Sequence, residues 1–433
     1  MSLVVILVFG IASIMVGQLV RGRYRNYAMI LFGLSFGVRL AIHVFVSRSV
    51  SFFSHGQAGG DSGLYEYYAN IIANIYSRHG IMFATADDFV ELTDTHRIEL
   101  VCNLFALITY VSGPSSLALT AVVALLAVAT CGVIFRFALL VGANDRAAFK
   151  AMLVTLFGPS FLFHTSDCYK DGINAFLVVT SVYLSARLAR KPSVAVVSFL
   201  LPMLWALYYV RPYMVAMVLA PVPVGLVMKS RAGRSDSTAR FVIVGVVVLA
   251  MAFGMAFGAG DTLVGASQDQ FQVATSSDSR NANAEGGSGV VFDDDGNPWN
   301  QIGSKILYTV LAPFPWMGGS FGLQIGKIDA LLWYYTIAGA WVGARELWKR
   351  DRRTLALLLM FIAPGTVAYA LSMSNVGLIL RQRMPIMMVT GVLAAVGWSR
   401  VRQPGRTRSV PGVVRVPAPR APRLASVATS ETR

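Results

Sequence analysis

Apolar residues in this chain gather into long unbroken runs, and the polar and charged residues collect in the short stretches between them. The runs fall at 2–20, 27–47, 115–140, 149–165, 172–189, 193–210, 212–229, 240–260, 327–346, 354–373 and 384–400. A helix of about 20 apolar residues crosses the hydrocarbon core of a bilayer. The pattern therefore predicts an all-α polytopic membrane protein of about 11 transmembrane helices. Two further apolar pieces fall short. Residues 98–111 carry Glu99, and 306–316 are interrupted by Pro313 and Pro315. Both are expected as re-entrant or interfacial helices, whose backbone must be covered by protein.

The basic residues supply an orientation. Arg21, Arg23 and Arg25 follow the first run; Arg187, Arg190 and Lys191 follow the fifth; Lys229, Arg231 and Arg234 follow the seventh. Arg345, Lys349, Arg350, Arg352 and Arg353 follow the ninth, and Arg400, Arg402, Arg406 and Arg408 the last. All five clusters share the cytoplasmic side if the N-terminus is outside and the C-terminus inside. The expected organisation is a membrane domain over 1–400 with outer loops at 48–97 and 261–303. A basic, Pro-rich disordered cytoplasmic tail follows at 401–433 and touches anionic lipid. Within the first loop, 61–75 is expected as a helix lying along the membrane. The first run lacks the basic leader and small-residue cleavage site of a signal peptide and is read as a retained span.

Composition sharpens this picture. Of 433 residues, 55% are hydrophobic and 14% charged, far less charge than a soluble protein carries. The net charge of +15 sits in the clusters that end the apolar runs, so it argues for topology and not for nucleic acid. Three cysteines, Cys102, Cys131 and Cys168, give neither zinc spacing nor a disulfide framework. There is no phosphate-binding G-x-x-x-x-G-K-[ST] loop, no H-E-x-x-H and no G-x-S-x-G elbow. Asp293, Asp294 and Asp295 lack the bidentate glutamate of a calcium loop.

On this orientation a set of polar residues gathers at the outer ends of the runs: Arg39, His43, Asp61, Tyr65, His164, Asp167, Lys170, Asp171, Tyr209, Arg211, Tyr213, Arg381 and Arg383. Lysines and arginines there run against the positive-inside bias and need a partner or a task. Guanidinium forks suit a phosphate or pyrophosphate group; mutual pairing, such as Lys170 with Asp171, is the plainer reading of any one of them. Asp61, in Gly59-Gly60-Asp61-Ser62-Gly63, reads either as a general base for a sugar hydroxyl or as a cap for the helix that begins beside it. Arg39 and His43 share one helix face, with Arg39 either lining a site or snorkelling.

Several phrases occur together in order. They are Gly60-Asp61-Ser62 with Tyr65, Gly158-Pro159-Ser160 before Lys170-Asp171, Ala312-Pro313-Phe314-Pro315-Trp316, and Arg381-Gln382-Arg383-Met384-Pro385. This set resembles the polymerase-like and GT-C-like multi-pass glycosyltransferases of bacterial exopolysaccharide and O-antigen assembly. The resemblance implies a polyprenyl-linked saccharide handled at the outer face of the bacterial cytoplasmic membrane, alongside polysaccharide-assembly proteins and membrane lipid. It implies a catalytic acid at Asp61, with Arg383 as its partner. The phosphate-binding arginines it implies are Arg211, Arg280, Arg381 and Arg383. Arg39, Tyr65, Lys170, Asp171 and Trp316 complete the expected substrate-binding set. No cofactor is required, although a divalent cation bridging Asp61 and the phosphates is compatible. A flippase or exporter of lipid-linked saccharide, or a non-catalytic assembly subunit, would use the same basic cavity.

Overall fold

The structure, a computed structural model, describes residues 1–48, 61–95, 98–191, 193–222, 265, 272, 275–276, 292, 297–318, 321–372 and 376–401. The described residues are helical, with no strand among them. In chain order the helices are α1 (Ser2–Val16), α2 (Arg25–Arg48), α3 (Asp61–His79), α4 (Glu99–Ser112) and α5 (Ser116–Leu140). Next come α6 (Asp145–Leu156), α7 (Pro159–His164), α8 (Lys170–Arg190), α9 (Val194–Val210) and α10 (Pro212–Leu219). The last group is α11 (Ile302–Leu311), α12 (Phe321–Arg350), α13 (Arg352–Leu371), α14 (Val376–Gln382) and α15 (Met384–Val401).

Among the described residues, five segments are long and apolar enough to cross a membrane: Ser2–Leu19, Gly22–Ser47, Ser116–Leu140, Lys170–Arg190 and Arg352–Leu371. The first pair forms an outer layer. Leu3, Leu7, Ile11, Ile30 and Leu34 face outward, as apolar side chains do when their solvent is lipid. Helices α5 and α8 are the inner layer, with Val123, Val128, Ile134, Val178 and Val182 in the main core. Helix α12 has 30 residues, about 45 Å of helix. The expected span over 240–260, the 223–229 part of the span over 212–229, Arg280 and the 402–433 tail lie outside the described residues.

The single span expected over 149–165 is instead two helices, α6 and α7. Gly158 is extended, with ψ of 124°, and Pro159 opens α7. A residue before proline is driven out of the α region, and the ring removes a donor, so the helix stops there. The short pieces at 98–111 and 306–316 become α4 and α11, of 14 and 10 residues.

Helices α12 and α15 make the most extensive contact in the bundle. A Cβ on Gly343 would lie 2.1 Å from the Leu393 carbonyl oxygen, and one on Gly397 2.1 Å from that of Gly339. Small residues spaced by four let two helix backbones touch, a common device in membrane bundles.

The basic ends of several helices meet at one end of this bundle. Arg190 donates to the Leu140 carbonyl, and its Nη2 lies 3.3 Å from Asp351 Oδ2. Arg353 donates to the Ala189 carbonyl, the Asn144 N–H donates to Ser399 Oγ at 3.0 Å, and Tyr24 stacks on Phe149. The other end carries the candidate site.

Candidate functional site

Helix α3 begins at Asp61 and is amphipathic. Its buried positions, Ser62, Tyr65, Tyr68, Ala69, Ile72, Ala73, Ile75 and Tyr76, recur at helical spacing. Asn103 of α4 holds it in place. Asn103 Oδ1 accepts from Tyr76 Oη at 2.8 Å and from the Ala84 N–H at 2.9 Å, while Nδ2 donates to the Ala84 carbonyl at 2.8 Å. One buried side chain thus joins the C-terminal part of α3, the following loop and α4.

Helix α8 brings Lys170 and Asp171 in its first turn, where the helix dipole favours a carboxylate. A Cβ on Gly172 would meet Val123 Cγ1 at 2.7 Å, so glycine there lets α8 close onto α5. Arg211 stands between α9 and α10 with φ −155° and ψ 87°. Pro212 behind it imposes that extended conformation and turns the guanidinium inward. Helix α14 supplies Arg381.

These residues converge. Arg211 Nη2 donates to Asp171 Oδ1 at 3.0 Å, and Arg381 Nε donates to Asp171 Oδ2. Arg381 Nη2 donates to Asp61 Oδ2. Lys170 lies in the field of Asp171, Asp61, Arg211 and Arg381. Asp171 is 2% exposed while the Asp61 side chain is 48% exposed, so the cluster grades from a sealed base to an open rim. Burial by itself would lower the Arg381 guanidinium, but Asp171 and Asp61 outweigh it and hold the group above its ordinary value. Burial, then the nearby carboxylates of Asp61 and Asp171, push the Tyr65 hydroxyl up. The five charged residues carry three cations against two carboxylates, a surplus of one positive charge.

The candidate residues therefore separate. Asp61, Tyr65, Lys170, Asp171, Arg211 and Arg381 come together. Arg383 turns the other way, donating to the carbonyls of Thr309, Val310 and Ala312 at 3.2, 3.4 and 2.6 Å. It closes the C-terminal end of α11 and the proline-containing segment behind it. Arg39 is fully buried, with Nε donating to Thr165 Oγ1 at 2.7 Å, Nη1 to Ser35 and Nη2 to the Leu156 carbonyl at 3.3 Å. It ties α2 to the α6–α7 break. Trp316 stacks on Phe314 and is 80% exposed, apart from the cluster.

Sequence reading missed Tyr169 and Tyr369. The Arg381 guanidinium lies 5.2 Å over the Tyr169 ring; burial first, and Asp167 next, push the Tyr169 hydroxyl up to about 12. Tyr369, whose hydroxyl donates to Met214 Sδ at 3.9 Å, lies in the field of Arg211, and Arg211 Nη1 donates to the Tyr213 hydroxyl at 3.0 Å. Both were uncharged residues among many aromatics, and only the Tyr169-Lys170-Asp171 adjacency could have flagged the first. All three cysteines are buried and free. No known protein family and no curated protein sequence matches this chain.

Proposed function

We propose that the protein is a membrane glycosyltransferase, polymerase-like or GT-C-like, that takes polyprenyl-phosphate-linked sugar at the outer face of the bacterial cytoplasmic membrane. The carrying observation is the meeting of Arg381, Arg211, Lys170, Asp61 and Asp171, from four separate stretches of chain, at the bundle end opposite the basic one. Asp171 holds the two arginines side by side, which presents a preorganised cationic surface to a phosphate. Asp61 at the rim faces the acceptor.

In this reading an acceptor hydroxyl attacks the anomeric carbon of the lipid-linked sugar as the bond to the phosphate oxygen breaks. Asp61 takes the hydroxyl proton. Arg381, Lys170 and Arg211 stabilise the negative charge that builds on the departing phosphate. Arg383 acts at one remove, fixing the segment that follows α14 and so the place of Arg381.

A transporter of the same lipid would need a polar path through the bundle. Arg39, the buried cation of α2, is instead engaged by Ser35, Thr165 and Leu156, which favours the enzyme.

The test is sugar transfer by the purified protein in vesicles containing labelled polyprenyl-diphosphate saccharide. Arg381→Ala should reduce turnover by about 100-fold or more, as loss of one preorganised charge-stabilising donor does. Turnover by Arg381→Ala within a few-fold of the parent protein would overturn the reading.

A further inference from the structure

The bundle end that bears the Asp61 cluster also bears three residues which that cluster does not use: His43 of α2, Ser116 of α5 and Asp167 from the loop before α8. His43 Nε2 lies 3.3 Å from Ser116 Oγ. On its other side His43 Nδ1 lies 3.5 Å from Asp167 Oδ1 and 3.2 Å from Thr120 Oγ1. Asp167 is steadied by the Cys168 N–H, which donates to Oδ1 at 2.7 Å.

The tautomer with the imidazole proton on Nδ1 turns that N–H toward the Asp167 carboxylate, which only accepts hydrogen bonds. Thr120 Oγ1 shares that N–H from the same side. Nε2 is then left with a lone pair, and the atom facing it is the Ser116 hydroxyl. Nucleophile, base and orienting acid therefore stand in the order that activates a serine.

The backbone adds a further element. Ser116 is the first residue of a 25-residue helix whose N-cap is Ser115. Ser115 Oγ accepts the Ala118 N–H at 3.3 Å, and the Ser115 carbonyl takes the Ala118 and Leu119 N–H groups. The N–H groups of Ser116 and Leu117, the first two helical residues after that cap, have no intrahelical acceptor. They are donors for an oxyanion formed beside Ser116 Oγ. Ser116 is partly exposed, whereas His43 is buried.

We propose that Ser116, His43 and Asp167 form a second site, one that cleaves carboxylic esters presented at this end of the bundle. Ser116 Oγ attacks the ester carbonyl carbon while its proton passes to His43 Nε2. The C–O bond to the alcohol breaks, His43 returns the proton to the departing oxygen, and an acyl-serine remains. Water, deprotonated by His43, then releases the carboxylic acid and restores the hydroxyl. Ser116 and His43 are catalytic in this scheme, and Asp167 is a positioning residue. The proposal does not depend on the sugar-transfer reading, since the two sites share no residue.

The experiment is labelling of the full-length protein in detergent with a fluorophosphonate, followed by peptide mass spectrometry. One adduct is expected, on Ser116, and it should vanish in Ser116→Ala. His43→Gln should slow labelling about 100-fold or more, the usual loss on removing a general base. Asp167→Asn should slow it while leaving the melting temperature within reach of the parent, and Asp167→Glu should restore part of the rate. Ser116→Cys gives an independent readout that retains the fold. Its thiol should alkylate faster with His43 present than in the Ser116→Cys, His43→Gln double variant. Absence of a Ser116 adduct under conditions that label a control serine esterase would overturn the proposal. So would a labelling or alkylation rate indifferent to His43.

Discussion

Arg211 Nη2 donates to Asp171 Oδ1 at 3.0 Å, and Arg381 holds the other oxygen of the same carboxylate. Asp171 is almost wholly sealed from solvent. It therefore pairs with two guanidinium groups, one from the middle of the sequence and one from its last quarter, and through Arg381 it reaches Asp61. Removing it leaves the buried Arg211 without a carboxylate and Arg381 with Asp61 alone.

Asp171→Asn should destabilise the protein by about 3–5 kcal/mol, the usual cost of leaving a buried charge unpaired. Thermal unfolding in detergent measures it. A combined Asp171→Asn, Arg211→Gln variant should recover part of the loss. Additive losses would mean that the two residues are not coupled.

Asp61 sits at the exposed rim, where an ion pair contributes at most about 1 kcal/mol. Asp61→Asn should leave the melting temperature nearly unchanged and suppress product formation. The two measurements on one preparation separate a chemical role from a structural one.

Asn103→Ala deprives the Tyr76 hydroxyl and the Ala84 N–H of their buried partner. Unsatisfied buried groups cost about 1–3 kcal/mol each. The α3–α4 pairing should loosen first, so amide exchange should rise across 61–79 before the α12–α15 contact is affected.

Gly397→Ala places a methyl group where the Gly339 carbonyl now lies. Helices α12 and α15 must separate, at about 1–3 kcal/mol for an overpacked contact. A melting temperature unchanged by Gly397→Ala would contradict the close packing.

Asp351 gives a pH dependence at the basic end. Burial would raise its carboxyl, but the Thr354 hydroxyl and N–H and the Arg190 guanidinium hold it below the usual carboxylate range. A depressed folded-state value means stability present above the unfolded pKa of about 3.9 and lost as pH falls through the folded value. Asp351→Asn should lower the melting temperature at neutral pH and flatten its fall on acidification.

The sequence made the membrane character plain, because apolar runs and flanking basic clusters are local signals. It also gave the start of α3 at Asp61, while the helix runs four residues past the expected end, to His79. The break at Gly158-Pro159 was written in the chain, but surrounding apolar residues masked it in a reading by hydropathy alone. The cluster was legible in its members and not in its pairing. Arg381 and Arg383 are two residues apart and chemically alike, yet one meets Asp61 and Asp171 while the other meets backbone carbonyls. That divergence is set by the turn from α14 into α15, which no local pattern encodes. Asp329, which accepts from the Ser160 N–H at 3.3 Å, was invisible for the same reason.

Mass spectrometry of lipid-linked saccharides in cells carrying the parent protein, Arg381→Ala, or no protein reads the proposed activity in its membrane. Cells with Arg381→Ala are expected to match cells without the protein, with lipid-linked saccharide accumulating unprocessed at the outer face. An unchanged saccharide profile when the protein is absent would contradict the proposed activity.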